Sequence, residues 1–255
     1  MPEPRHTAPH EFSIQQRVYL WLSGLFVTAL LAANVIGVKL FRFDIPLGDG
    51  RTLPVEHTAG MLAFPITFLL TDLLNEYYGQ RGARRAVAIA FVMGAVAFVL
   101  ISIARALPIL EGIPGTATGA SFENIFGSAA LMYLASLGAF LVGSLLDIVL
   151  FGVAKRLTGG RMVWLRATGS TVVSQLVDSF VVTILFFQVA QSLTGGESAP
   201  FSFVVRTALT GYILKFVIAV ALTPVIYLGR WVMSRWFGLT PLPPAGLVGG
   251  VSPPA

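Results

Sequence analysis

The feature that most constrains this chain is an apolar run that stops short of a membrane's thickness and then meets acids. The uncharged run from His57 to Thr71 spans roughly 22 Å as an α-helix, against a bilayer core of about 30 Å. A helix that crosses a membrane here must therefore include Asp72, and Glu76 follows one turn later. Because acids inside a membrane are costly, this pattern indicates a polar functional site.

The composition places the whole chain in a membrane. Of its 255 residues, 55% are hydrophobic and 11% are charged, whereas a soluble domain carries about 25% charged residues. The apolar runs are long enough for helices rather than for barrel strands. The sequence contains no cysteine, which excludes thiolate zinc sites and cysteine nucleophiles. The histidines lie outside the predicted helices and no basic cluster exceeds a topogenic loop, so we expect neither a metal site nor nucleic-acid binding.

Six apolar stretches predict an all-α integral membrane protein with six transmembrane helices. They cover about residues 18–40, 58–78, 86–107, 129–153, 164–190 and 204–229. Residues 41–57 alternate around a Gly-Asp-Gly, which predicts a short β-hairpin outside the bilayer. Pro65 is expected to kink the second helix near Met61, and Ser121 to cap a short helix in the loop after the third helix.

The ends of the chain and the basic residues predict the boundaries and the topology. Residues 1–14 are polar and residues 239–255 are rich in proline and glycine, which predicts disordered tails around a transmembrane domain at 15–238. With both termini cytoplasmic, the inner segments hold more than twice as many lysines and arginines as the outer ones. This imbalance favours cytoplasmic termini.

Four ionisable residues fall within the predicted spans, each on a different helix: Asp72, Asp147, Asp178 and Lys215. Each would cost about 2.5–3.5 kcal/mol on insertion scales if left alone. Asp178 and Lys215 come out near mid-bilayer at about the same depth. They form either a buried pair that only ties two helices, or part of a ligand site. Since three acids face one lysine, the second interpretation needs protonation, a cation or a ligand with several donors.

Other polar side chains lie on the same helices. The fifth helix carries a stripe on one face, formed by Thr171, Ser174, Gln175 and Asp178, which must face protein or water. Asn34 is the strong hydrogen-bonding side chain in the middle of the first helix. For Glu76, a solvated helix end that pairs with Arg81 or Arg84 is as good an interpretation as a binding role.

Enzyme motifs do not fit. The sequence GSLLD around Asp147 lacks the Gly-x-Gly-Asp of intramembrane aspartyl proteases, and the chain contains no Gly-x-Ser-x-Gly, His-Glu-x-x-His or P-loop. An intramembrane hydrolase that uses Asp147 and Asp178 is the enzyme alternative on acid–base grounds. We expect a protein without enzymatic activity and without a cofactor.

Four ordered motifs carry a family resemblance: FPITFLLTDLLNEYYG, LLDIVLF, WLRATGSTVVSQLVDS and GYILKFVIAVALTP. Over about residues 15–235 the chain resembles the bacterial queuosine precursor transporter family. The resemblance implies six helices, a fold similar to the substrate-binding subunits of energy-coupling-factor transporters, and a bacterial inner-membrane location. It also implies import of 7-cyano- and 7-aminomethyl-7-deazaguanine. Departures at Leu131, Ser144 and Ala167 put the substrate preference in question.

The resemblance and the chemistry of a deazaguanine together give a predicted substrate-binding set: Asp72, Asn75, Glu76, Asp147, Gln175, Asp178, Lys215, Asn34 and Tyr212. Asp178, with Gln175 and Lys215, suits the donor and acceptor edge of the base. An aromatic ring such as Phe64, Phe68 or Tyr212 suits stacking. A surplus carboxylate suits a protonated aminomethyl group.

The expected partners are the small-molecule base and the lipid bilayer, and a homo-oligomer is left open. The alternative function is a ligand-capturing subunit of an ATP-driven vitamin or heterocycle transporter. In that case the small residues Ala29 and Ala33 of the first helix would form the docking stripe.

Overall fold

The fold is taken from a computed structural model. It describes residues 11–243 apart from 49, 111, 115, 128–129, 161, 191 and 193–197. Residues 1–10 and 244–255, most of the two predicted tails, lie outside this part. Within it, Ser13 caps the first helix, and Leu239 is buried.

The described residues form helices and one two-stranded hairpin. The helices are α1 (Ile14–Ile36), α2 (Phe64–Ala106), α3 (Gly119–Phe126), α4 (Ala130–Leu157), α5 (Val163–Ile184), α6 (Phe201–Ala221) and α7 (Thr223–Phe237). A 3-10 turn, Ala59–Ala63, precedes α2, and a π-helical turn, Leu185–Ala190, follows α5. Five helical stretches of the described chain are long and apolar enough to cross a membrane. The prediction of a helical integral membrane protein is confirmed.

The predicted hairpin is present. Strands β1 (Leu40–Gly48) and β2 (Arg51–Thr58) pair antiparallel from Leu40 opposite Thr58 to Gly48 opposite Arg51. Gly50 takes a positive φ of 71° in the turn, a conformation that favours glycine. The hairpin delivers the chain from the end of α1 to the start of α2.

Helix α2 breaks at Gly79, where φ is 68° and ψ is 179°. This backbone conformation is essentially restricted to glycine. The first segment of α2, residues 64–78, and the second segment, residues 80–106, therefore meet without the loop that the sequence predicted. Arg81, Arg84 and Arg85 lie in the first turns of the second segment.

The two segments of α2 run in opposite directions along α1. The hydroxyl of Tyr78 donates to the Gln15 carbonyl at 2.8 Å, and Tyr19 donates to the Gly82 carbonyl at 2.9 Å. Both bonds lie near the start of α1. Away from Gly79, Gly60 just before the first segment packs against Ala33, and Phe98 in the second segment lines a crevice with Asn34, both near the end of α1.

Local predictions at two positions were wrong. Pro65 does not lie inside a helix but at the start of α2. At a helix start the missing N–H and the fixed φ of proline are tolerated. The kink expected near Met61 is replaced by the 3-10 turn. The cap of α3 is Thr118, whose Oγ1 accepts from the Ser121 N–H at 3.2 Å, and not Ser121 itself.

The apolar core joins α1, both segments of α2, and α4. It contains Phe26, Leu74, Val87 and Ile148, all fully buried. The small-residue stripe of α1 is used inside the protein, because a Cβ on Gly60 would lie 2.5 Å from the Ala33 carbonyl oxygen. The polar residues gather elsewhere, between α2, α4, α5 and α6.

Candidate functional site

The centre of the polar region is an ion pair between α5 and α6. Lys215 Nζ donates to Asp178 Oδ2, and the two residues are only 4% and 6% exposed. The same Nζ lies 4.6 Å from the centroid of the Phe64 ring, at the start of α2, which is within cation–π range. The pair therefore links three helices and brings an aromatic face beside the charges.

Helix α4 closes one side of this pair. A Cβ on Gly143 would lie 3.0 Å from Asp178 Cβ and 3.1 Å from Asp178 Oδ1. The carboxylate thus packs directly on the glycine backbone, and a methyl group there would displace it. Gly143 precedes Asp147 by one turn, so Gly143 and Asp147 both lie on the face of α4 that contacts α5.

Asp147 is held by hydroxyl groups of the α5 stripe. Its Oδ1 accepts from Thr171 Oγ1 at 3.3 Å and from Ser174 Oγ at 3.1 Å. It forms no ion pair with any residue in the described part of the chain. All four residues of the predicted stripe are buried, which confirms that this face of α5 packs against protein.

Asp72 extends the same polar path toward α2. It is buried and lines a small crevice between helices with Phe68, Thr168, Thr171 and Ala219. Thr171 therefore lies between the Asp72 crevice and the Asp147 carboxylate. The structure brings Asp72, Asp147, Asp178, Gln175 and Lys215 into one connected polar region.

A second buried ion cluster surrounds Glu76, which we call the Glu76 cluster (Glu76, Lys155 and Arg230). Lys155 Nζ lies 2.8 Å from Glu76 Oε2 and 3.2 Å from its backbone carbonyl, and Arg230 Nη2 lies 3.6 Å from Oε1. The Leu242 N–H also donates to the Glu76 carbonyl at 3.0 Å. These partners replace the solvated pairing with Arg81 or Arg84 that the sequence left open.

Sequence reasoning missed Lys155 because it ended the fourth helix before that residue. Helix α4 continues to Leu157, and Lys155 follows Asp147 by eight residues. Two helical turns place both side chains on one face, with fully buried Phe151 between them. This spacing was the available signal. Next to the cluster, Asn75 Nδ2 donates to the Ile148 carbonyl at 3.1 Å.

Two predicted residues have other surroundings. Asn34 Nδ2 donates back to the Leu30 carbonyl at 3.0 Å and lines a crevice with Phe98 and Tyr133 that shares no residue with the Asp72 crevice. Tyr212 packs on Phe216, with their ring centroids 6.3 Å apart. Their roles in binding stay predictions.

His57 is a neighbour that the sequence did not indicate. It lies half-buried at the end of the hairpin, and its Nε2 would be 3.5 Å from a Cβ on Gly211, one turn before Lys215. Burial, and then the charge of Lys215, lower the pKa of His57 from 6.5 to about 4. The imidazole is therefore neutral at physiological pH.

Comparison with known proteins gives a consistent result. Residues 58–229 match the family described as "Putative vitamin uptake transporter". A Bacillus subtilis (strain 168) protein named "Probable queuosine precursor transporter" is 31% identical over 84% of this chain and 83% of its own length. An Escherichia coli (strain K12) "Queuosine precursor transporter" is 28% identical over 69% of this chain and 72% of its own length. A Haemophilus influenzae relative with the Bacillus name is 26% identical, over 68% of this chain and 72% of its own length. No solved structure is significantly similar.

Proposed function

We propose that this chain, which belongs to the vitamin uptake transporter family, imports queuosine precursors across the bacterial inner membrane. Its membership of a transporter family, together with five apolar helices of spanning length, makes it a multi-pass membrane transporter and not an enzyme. The substrates we propose are 7-cyano- and 7-aminomethyl-7-deazaguanine. The observation that carries the site is the buried Asp178–Lys215 pair beside Phe64.

The side chains of this pair match the polar edge of a deazaguanine. The base presents N1–H and an exocyclic amine, which a carboxylate accepts bidentately, and an O6 that accepts a hydrogen bond. In this proposal Asp178 takes the two donors, while Lys215 donates to O6. Phe64 supports the proposal because its ring already lies against Lys215, where a flat base can stack.

The remaining acids suit the positively charged form of the substrate. Asp147 is held only by hydroxyls, and Asp72 lies beyond Thr171 in the adjacent crevice. A protonated aminomethyl group near either carboxylate would balance a buried negative charge. We therefore expect these two residues to favour 7-aminomethyl- over 7-cyano-7-deazaguanine.

For the topology we propose six crossings with both termini in the cytoplasm. The reversal at Gly79 supports two crossings by α2, and the arginines after Gly79 support a cytoplasmic position for this turn. A reporter fused within residues 191–203 tests the orientation. The proposal requires an extracytoplasmic signal, and a cytoplasmic signal would refute it.

The direct test of function is uptake in a bacterial strain that cannot make 7-deazaguanines. Cells that express the chain and receive 7-cyano-7-deazaguanine should form queuosine in their tRNA. Asp178→Asn and Lys215→Met should abolish it while the protein remains in the membrane. Asp44→Asn, on the exposed hairpin, is the matched control and should behave as wild type. Normal queuosine levels in both site variants would reject the assignment.

A further inference from the structure

Two polar atoms beside the ion pair have no partner in the part of the chain that is described. They are Gln175 Oε1 and Ser179 Oγ, and their residues are 5% and 3% exposed. A buried polar group without a hydrogen bond is unfavourable, and each such group in a native protein needs an explanation. Ser179 is not among the binding residues predicted from the sequence.

Neighbouring hydroxyls behave differently from Ser179. Ser170 donates to the Ala167 carbonyl at 3.2 Å, Ser174 to the Thr171 carbonyl at 3.1 Å, and Thr183 to the Ser179 carbonyl. This back-bonding is the ordinary solution for a serine or threonine inside an apolar helix. Ser179 does not use it, although its own carbonyl accepts such a bond from Thr183. Its hydroxyl therefore keeps both its donor and its acceptor capacity.

The two atoms lie on the side of α5 that faces α6. Gln175 and Ser179 are one turn apart and flank Asp178. Thr168 lies on the same side of the helix, and its Oγ1 is 3.0 Å from Thr223 Oγ1 at the junction of α6 and α7. This side therefore faces the helix that supplies Lys215.

We propose that Ser179 is a further ligand-contact residue, which acts with Gln175 Oε1 as a donor–acceptor pair. Gln175 Oε1 accepts from a ligand N–H, and the Ser179 hydroxyl donates to an unprotonated ring nitrogen next to that N–H. A fused heterocycle such as a free deazaguanine presents this pattern at N9–H and N3, on the edge that adjoins the exocyclic amine. This inference rests on the proposed function, and it predicts that the free base is bound better than a form substituted at N9.

The test measures binding of 7-cyano-7-deazaguanine and its 9-methyl derivative to the purified full-length protein. Ser179→Ala should raise the Kd for the free base about 5- to 30-fold, the range expected for losing one hydrogen bond to a buried group. Ser179→Ala should keep a preference for the free base over the 9-methyl derivative, because that preference comes from the N9–H bond to Gln175 Oε1. Ser23→Ala is the matched control, because Ser23 Oγ is also buried without a partner but lies on α1, and this variant should bind as wild type.

Each outcome supports or overturns the inference. Both alanine variants should unfold at or above the wild-type temperature, since each removes an unsatisfied hydroxyl. If Ser179→Ala binds the free base within twofold of wild type, the inference is wrong while the proposed function stands. If the wild-type protein binds neither compound, the proposed function fails and the inference fails with it.

Discussion

Two buried ion pairs in this protein are equally hidden but differ in how completely their surroundings satisfy them. Lys155–Glu76 and Lys215–Asp178 each have side chains that are less than one-tenth exposed. In the Glu76 cluster, both carboxylate oxygens face a cation. Beside Asp178, by contrast, Gln175 and Ser179 each hold an unpartnered atom. The comparison teaches that burial alone does not separate the two charge pairs, whereas the hydrogen bonding of the groups around them does.

The largest effects should come from removing one cation at either place. Lys155→Met and Lys215→Met each leave a buried carboxylate without its main partner. Losing one member of a buried pair costs about 3–5 kcal/mol of folding free energy. We expect both variants to unfold at clearly lower temperature than wild type in detergent. A variant that kept the wild-type unfolding temperature would show that its pair contributes little.

The double variants separate the two regions. Glu76→Gln/Lys155→Met and Asp178→Asn/Lys215→Met remove both charges of a pair, so each should regain most of the lost stability. Of the two double variants, only Glu76→Gln/Lys155→Met should transport the base, because the Asp178 pair is proposed to bind it. Recovered stability without uptake at Glu76 would instead place that residue among the ligand contacts.

Gly143→Ala should impair transport more than stability. The new methyl group would lie about 3 Å from Asp178, according to the position of an added Cβ, and overpacking of this kind costs about 1–3 kcal/mol. We expect uptake to fall roughly tenfold as the carboxylate is displaced. Gly169→Ala on α5 is the control, since its nearest contact is an ordinary 4.0 Å. Equal uptake by the two variants would contradict the packing argument.

Thr171→Val should have a smaller effect. It removes one of the two hydroxyls that donate to Asp147, worth about 1 kcal/mol. Affinity for 7-aminomethyl-7-deazaguanine should fall about fivefold, and affinity for the 7-cyano compound should fall less. Competition uptake with both bases measures this, and equal changes for both would separate Asp147 from the aminomethyl group.

The smallest effect concerns His57 and pH. Its pKa of about 4 in the protein lies below the ordinary value near 6.5. As the pH falls below 6.5, the unfolded chain therefore binds a proton before the folded protein does, and wild type loses stability. His57→Gln should lose less between pH 7 and pH 5 in thermal unfolding. An equal loss in both proteins would contradict the burial of this imidazole.

Local pattern predicted much of the fold. Apolar length located the spanning helices, alternation around Gly-Asp-Gly located the hairpin, and the spacing of Thr171 and Ser174 located the buried face of α5. Equal depth also predicted that Asp178 and Lys215 could meet. These features depend on one helix or on adjacent segments, so periodicity and rise per residue are sufficient.

The remainder depends on tertiary placement, which periodicity does not contain. The predicted spans require a reversal after residue 78, but its tight form at Gly79, without a loop, needs a single backbone conformation that a glycine alone does not indicate. The contact of His57 with α6 joins residues more than 150 positions apart in the chain. The end of a helix is set by caps and packing, and a basic residue fits both the last turn of a helix and the loop that follows it. For this reason the pattern placed Lys155 in a loop.

Uptake of 7-cyano-7-deazaguanine into proteoliposomes that contain only this protein tests the central claim most directly. Wild type and Glu76→Gln/Lys155→Met should transport the base without ATP or a partner protein, and Asp178→Asn/Lys215→Met should not. Uptake by the Asp178 double variant at the wild-type rate would contradict the site. Uptake that required an ATP-driven partner would contradict a transporter that works alone.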